Sequence, residues 1–217
     1  MTSVDDASAA LKAGSFVVIY DGEGREGEAD LVLSAQFTSP EKVETLRRDA
    51  GGLICAAIDA RDAEALGLPF YVDLLEQNAK LAGNPMLGEL ACRKTAYGEK
   101  PAFSISVNHR GVFTGITDND RALTLKKLDE LVRGRKGTGA LAAEFYSPGH
   151  VPLLIGRGIA NRRGHTELSL ELAKRSGLGG AVVLCEMLGR GKALPKEEAR
   201  AYATRNGLIF IEGKELI

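Results

Sequence analysis

Phe16-Val17-Val18-Ile19-Tyr20-Asp21-Gly22-Glu23-Gly24-Arg25-Glu26-Gly27-Glu28-Ala29-Asp30-Leu31-Val32-Leu33-Ser34-Ala35-Gln36-Phe37 decides the fold. Its first five residues form an unbroken apolar run rich in β-branched and aromatic side chains, the pattern of a buried strand. Leu31, Leu33, Ala35 and Phe37 then recur at every second position, which predicts a strand over 30–37 with one face inward. The polar segment 21–28 between them is too short for a helical crossover, so the two strands cannot be parallel neighbours. The sheet is therefore mixed.

Outward from this pair, strand and helix signals alternate. Residues 5–13 read as a short helix closed by Gly14, and Ser39-Pro40-Glu41 starts another with a capping hydroxyl, an early proline and an acid. Strands follow at 52–58, at Phe103, Ile105 and Val107, at 151–155, at 181–185 and at 208–211. Helices are predicted near 61–66, over 117–131 behind Thr117, over 164–176 and over 195–206. Residues 72–98 carry little periodic signal apart from a turn at Gly83-Asn84-Pro85, and 133–139 reads as a flexible basic loop. No stretch resembles an interdomain linker. The prediction is one α/β (α+β) domain over 1–217, a mixed sheet flanked by helices.

Composition narrows the function. The 217 residues carry 28 basic and 29 acidic side chains, a net charge of −1 that supplies no field for a polyanion. A nucleic-acid role would rest on the 133–139 loop and Arg162-Arg163, which lack interleaved aromatics. No apolar run approaches the ~20 residues of a membrane span, and the first residues lack a signal peptide's pattern. Cys55, Cys92 and Cys185 show no paired spacing, so free thiols in a reducing cytoplasm are expected.

Gly22-Glu23-Gly24-Arg25-Glu26-Gly27 matches the dinucleotide fingerprint Gly-x-Gly-x-x-Gly, and the match fails on physical grounds. The third glycine should open a helix, yet a strand follows. Asp21, Glu23, Glu26, Glu28 and Asp30 against one Arg25 would repel a pyrophosphate. Such a loop could hold a hard cation such as Mg²⁺ or Mn²⁺, although composition alone favours a solvated turn. Arg162-Arg163-Gly164-His165-Thr166-Glu167 sits at a helix start. Two guanidiniums, a glycine and a first-turn hydroxyl suit a phosphate, and His165 suits a metal or a proton. Surface arginines and a capping histidine are the alternative. On pattern alone His150, in the predicted turn Ser147-Pro148-Gly149-His150, reads as a satisfied polar residue. Glu186, ending an apolar strand, reads at least as readily as a strand-end charge reaching solvent as it does as an acid or base.

Taken in order, Asp21–Asp30, Gly51-Gly52-Leu53-Ile54-Cys55, Thr114–Arg121, Pro148-Gly149-His150, Arg162–Glu167 and Cys185-Glu186 resemble the 3,4-dihydroxy-2-butanone 4-phosphate synthase family of riboflavin biosynthesis, in its stand-alone form. Glycines at 22, 24 and 27, Lys100-Pro101 before Ala102-Phe103, and Arg163 in place of a glycine depart from the family's usual pattern. The resemblance implies a lyase that converts D-ribulose 5-phosphate into formate and L-3,4-dihydroxy-2-butanone 4-phosphate. It implies Glu26 and His165 as ligands of Mg²⁺ or Mn²⁺, and Arg162, Arg163, Gly164 and Thr166 around the phosphate. Arg25 and Asp30 would position the sugar, and His150 and Glu186 would transfer protons. It also implies a cytoplasmic homodimer with shared active sites. A metal-dependent pentose-phosphate isomerase or aldolase would use the same chelation and is the other enzymatic reading.

Overall fold

A computed structural model describes residues 3–91, 94–135 and 137–217; Cys92, and Lys136 of the basic segment, lie outside them. The chain runs α1 (Ser3–Lys12), β1 (Val17–Tyr20), β2 (Ala29–Ser34), α2 (Pro40–Thr45), β3 (Cys55–Asp59), α3 (Ala60–Ala65), α4 (Tyr71–Leu81) and α5 (Pro85–Leu90). It continues through β4 (Phe103–His109), α6 (Asp118–Arg133), α7 (Thr138–Glu144), β5 (Phe145–Gly156), α8 (His165–Arg175), β6 (Val182–Glu186), α9 (Lys196–Arg205) and β7 (Ile209–Glu212). All the strands join one sheet in the order β4-β5-β3-β6-β2-β1-β7. β1 pairs antiparallel with β2, as the short connection demands, while β1–β7 and β3–β5 are parallel. The mixed sheet is as predicted.

Alternation along each strand divides the core in two. Val18, Leu31, Leu33 and Val183 meet Leu125 and Leu128 of α6 and Ala199 and Ala203 of α9 on one face. Val17, Ile19, Val32 and Leu184 meet Leu11 of α1 and Leu168 and Leu172 of α8 on the other. The one-face-inward reading of 30–37 is corrected by this layering: every residue of β2 is buried, because helices cover both sides of a central strand. β2 also ends at Ser34, and Ala35–Phe37 form a single 3₁₀ turn. Capping signals held where they were present. Ser39 Oγ accepts from the Lys42 amide at 3.4 Å, and Thr117 Oγ1 accepts from the Asp120 amide at 3.2 Å.

Three stretches differ from expectation. Helices α4 and α5 occupy the segment with little signal, and the predicted turn at 83–85 joins them, with Gly83 at φ +60°. The basic loop is shorter than predicted, since α6 runs through Arg133 and α7 begins at Thr138. Ser147–His150 is not a turn but lies within β5 as a bulge. Val107 faces Val151 while the next residue, Asn108, already faces Tyr146, so the four residues between are surplus. A Cβ on Gly149 would lie 1.9 Å from the Val107 carbonyl carbon, so only glycine fits there.

Candidate active site

The β1–β2 loop is built around Asp21. Its Oδ1 accepts from the amides of Gly27 and Glu28 at 3.0 and 3.1 Å, and its Oδ2 from the Glu26 amide at 3.1 Å. Arg25 Nη1 adds a fourth donor to Oδ2 at 3.0 Å. With both oxygens so occupied, Asp21 organises the loop and turns the neighbouring Glu26 carboxylate inward.

His165 opens α8 directly opposite. Its Nε2 lies 3.1 Å from the carbonyl of Glu28 and its Nδ1 3.3 Å from Glu26 Oε2. A carbonyl only accepts, so Nε2 carries the proton, and Nδ1 is the atom that faces Glu26 with either a proton or a lone pair. Burial opposes a charge on His165, yet Asp30, a hydrogen bond to Glu26 and the nearby Asp21 outweigh it and lift its pKa to about 9. Burial likewise acts against the Glu26 charge, but hydrogen bonds from His165 and Tyr97 and the charge of Arg25 bring it down to about 2. Asp21, Glu26 and His165 each offer a ligand atom within 4.8 Å of the others.

Asp30 is buried beside this group. Its Oδ1 lies 3.6 Å from His165 Nε2 and finds no hydrogen-bond donor among the described residues. Desolvation pushes Asp30 up to about 7; His165 opposes the shift, and Glu186, Glu26 and Glu28 add to it. Glu186 stands opposite Asp30 in the β2–β6 ladder. Glu186 Oε2 accepts from the Leu53 amide at 2.7 Å, and a Cβ on Gly52 would lie 2.3 Å from that oxygen and 2.7 Å from the Glu186 carbonyl oxygen. Gly52 is thus a site residue that sequence reasoning treated as part of a strand.

The arginines form the adjoining wall. Arg162 is buried, with Nη1 2.6 Å from Glu167 Oε2, while Glu167 Oε1 accepts from the Arg157 amide at 3.0 Å. Arg25 donates from Nη2 to Glu99 at 2.6 Å and stacks on Tyr97 at 4.7 Å. Gly164 sits between the two guanidiniums: a Cβ there would lie 2.3 Å from Arg162 Nη1 and 2.7 Å from Arg25 Nη2. Gly164 caps α8 with no side-chain hydrogen bond, so the first-turn amides beside buried Thr166 have no capping side chain. Tyr97 lies within the weak-signal stretch 72–98 and Glu99 directly after it, and only contact could reveal them.

The structure thus brings Arg25, Glu26, Asp30, Arg162, Gly164, His165, Thr166 and Glu186 to one end of the sheet. Arg163 is exposed. His150 is exposed too, with its amide donating to Asn108 Oδ1 at 2.8 Å and its Nδ1 3.2 Å from Asn108 Nδ2. His150 lies on β5 three residues before Leu153, the partner of Ala56 near the start of β3. Because β3 runs parallel to β5 and its start meets the end of β6, His150 lies toward the same end of the sheet as Glu186, on a different strand.

Known proteins carry the same arrangement of sequence and fold. The sequence profile of the 3,4-dihydroxy-2-butanone 4-phosphate synthase family matches residues 5–217. The chain is 42% identical to the synthase of Methanothermobacter thermautotrophicus, over 99% of this chain and 94% of that one. It is 43% identical to the synthase of Archaeoglobus fulgidus, over 98% and 92%. A crystal structure of a 3,4-dihydroxy-2-butanone 4-phosphate synthase in complex with two magnesium ions superposes with a TM-score of 0.78 at 28% identity, over 100% of this chain and 95% of the other. A two-domain synthase from A. baumannii superposes at 0.80 with 27% identity, this chain covering 56% of its length. The chain belongs to the 3,4-dihydroxy-2-butanone 4-phosphate synthases, enzymes of riboflavin biosynthesis.

Proposed function

We propose that this chain converts D-ribulose 5-phosphate into formate and L-3,4-dihydroxy-2-butanone 4-phosphate at the β1–β2/α8 site, using Mg²⁺ or Mn²⁺. The observation that carries the reading is the His165 geometry. Its Nε2 is committed to the Glu28 carbonyl, which leaves Nδ1 aimed at the Glu26 carboxylate. One nitrogen ligand oriented by a backbone carbonyl, beside one carboxylate, fits a divalent cation that keeps its other positions for water and substrate. Asp21 shares the cluster but has its oxygens filled, so its part is to hold the loop. When bound, the cation supplies Lewis-acid polarisation of neighbouring hydroxyl and carbonyl oxygens, which eases enolisation of the sugar.

The remaining steps belong to the chain's own groups. Arg162, the amides at Gly164 and the Thr166 hydroxyl hold the phosphate, with Arg163 at the rim. Arg25 and Asp30 position the sugar. Glu186 is held by the Leu53 amide as a carboxylate able to take a proton, and Asp30, raised by burial, can hold one near neutral pH. His150 is the second proton carrier, oriented by Asn108. Enolisation, loss of water, skeletal rearrangement, addition of a water to the C4 aldehyde and departure of C4 as formate leave no net change in water. Moving protons at the oxygens and carbons concerned is the task of these groups.

The same reading includes a homodimer in the cytoplasm. Leu53, Phe113, Ile116 and Leu188 are 54, 94, 51 and 47% exposed around the end of the sheet that carries Glu186 and His150. A second copy would cover them and narrow the distance His150 must span. Glu26→Ala and His165→Ala test the site. Each is expected to lose at least ~10²-fold in activity, and Mg²⁺ binding by calorimetry, with an unchanged circular dichroism spectrum. Substantial turnover in either variant would remove the metal assignment.

A further inference from the structure

Two carboxylates share Arg162, and they are not equivalent. Glu167 is fully buried and makes an in-line hydrogen bond to Nη1. The Glu99 side chain is 31% exposed and lies 2.9 Å from Arg162 Nε, but out of line, so that Nε has no hydrogen bond among the described residues although Arg162 is buried. Glu99 also takes Nη2 and Nε of Arg25 at 2.6 and 3.4 Å. A structural ion pair buries its anion and satisfies its donors, as Glu167 does. Glu99 instead reaches in from the rim toward two deeply seated guanidiniums and leaves one donor unsatisfied. A dianionic phosphate offers three acceptor oxygens and twice the charge, so it can fill the Arg162 Nε that the carboxylate leaves open and still balance the neighbouring charge of Arg25.

We propose that Glu99 is an internal competitor for the phosphate grip, displaced when the substrate's phosphate arrives, and that it sets the affinity and selectivity for phosphorylated sugars. The proposal rests on the assignment of Arg162 to the phosphate. A neutral sugar cannot expel Glu99, because it brings no charge to replace the one removed. The local structure suits a detachable unit. Thr95 and Glu99 close a tight turn, with the Thr95 amide on the Glu99 carbonyl at 2.7 Å and the Glu99 amide on Thr95 Oγ1 at 3.2 Å. Behind it, the carbonyls of Lys100 and Pro101 are each pinned by Arg157 at 2.9 Å, so the turn can swing while its base stays fixed. Tyr97 rides on the same turn, so displacement also removes its ring from Arg25 and its hydroxyl from Glu26.

The test is calorimetric binding of inorganic phosphate to the full chain and to the variants Glu99→Gln and Arg162→Ala. Glu99→Gln is expected to bind phosphate about tenfold more tightly than the parent, the worth of one displaced charged contact. Arg162→Ala is expected to bind it at least tenfold more weakly. Equal or weaker binding by Glu99→Gln, with Arg162→Ala still impaired, overturns the competitor. Unimpaired binding by Arg162→Ala overturns instead the phosphate assignment beneath it. A second readout does not depend on the folding of Glu99→Gln. The chain has no tryptophan, so Tyr97→Trp places a single reporter on the turn. Its emission is expected to shift to longer wavelength as phosphate is added, and an unmoved spectrum contradicts displacement.

Discussion

His165 shows how much one side chain is asked to do. Without a cation, its ring keeps its second proton up to about pH 9, well above the ordinary 6.5, because Asp30 and Glu26 stabilise the charge more than burial opposes it. A cation taken at Nδ1 must expel that proton. Mg²⁺ affinity is therefore expected to rise with pH by up to about tenfold per unit, then flatten above pH 9. Near pH 7.5 close to one proton should be released per ion. Calorimetry in two buffers of different ionisation heat reads this directly, and His165→Asn should release none. Gly52 makes a second residue-scale case. Its missing side chain lets the Glu186 carboxylate and carbonyl approach, so Gly52→Ala must push that strand end outward. The expected cost is about 1–3 kcal/mol in denaturant unfolding, with activity falling more than stability does.

At the scale of elements, what could be read in advance was whatever repeats or caps. The strands 16–20 and 181–185 announce themselves by continuous apolar runs, and Ser39 and Thr117 by their hydroxyls. Helices α4, α5 and α7 do not. Their buried residues are few, with only Val72 buried along α4 and none along α5 or α7, so no periodic stripe was needed. Ser147–His150 misled because proline and glycine mark bulges as readily as turns. Glu26, His165 and Glu186 were visible as residue types at strand and helix ends, whereas Tyr97, Glu99 and the Asn108–His150 contact depend on pairings more than 40 positions apart or on the hydrogen bond of Tyr97 to Glu26. Helix α8 links core and site. Leu172 is fully buried on the face that meets the sheet, so Leu172→Ala should cost about 2–5 kcal/mol by chemical denaturation. The loop side has its own test. Asp21→Ala removes an acceptor of four hydrogen bonds and should speed amide exchange at residues 26–28, while exchange in the sheet stays slow.

Across the whole molecule, the parallel and antiparallel strand pairs deliver the β1–β2 loop, the end of β6 and the start of α8 to one end of the sheet. The exposed apolar residues at that end carry the prediction about assembly. Light scattering after size exclusion should give twice the mass of one chain, and Phe113→Asp should shift it toward a single chain with lowered activity. A monomeric parent with full activity would remove the partner from the account. The central claim is chemical, and carbon-13 NMR tests it most directly. Ribulose 5-phosphate labelled at C4 is followed with the purified chain and Mg²⁺, then again with EDTA. The account predicts labelled formate and an unlabelled four-carbon phosphate that appear only with the metal. A labelled five-carbon product, or formate released equally in EDTA, would contradict it.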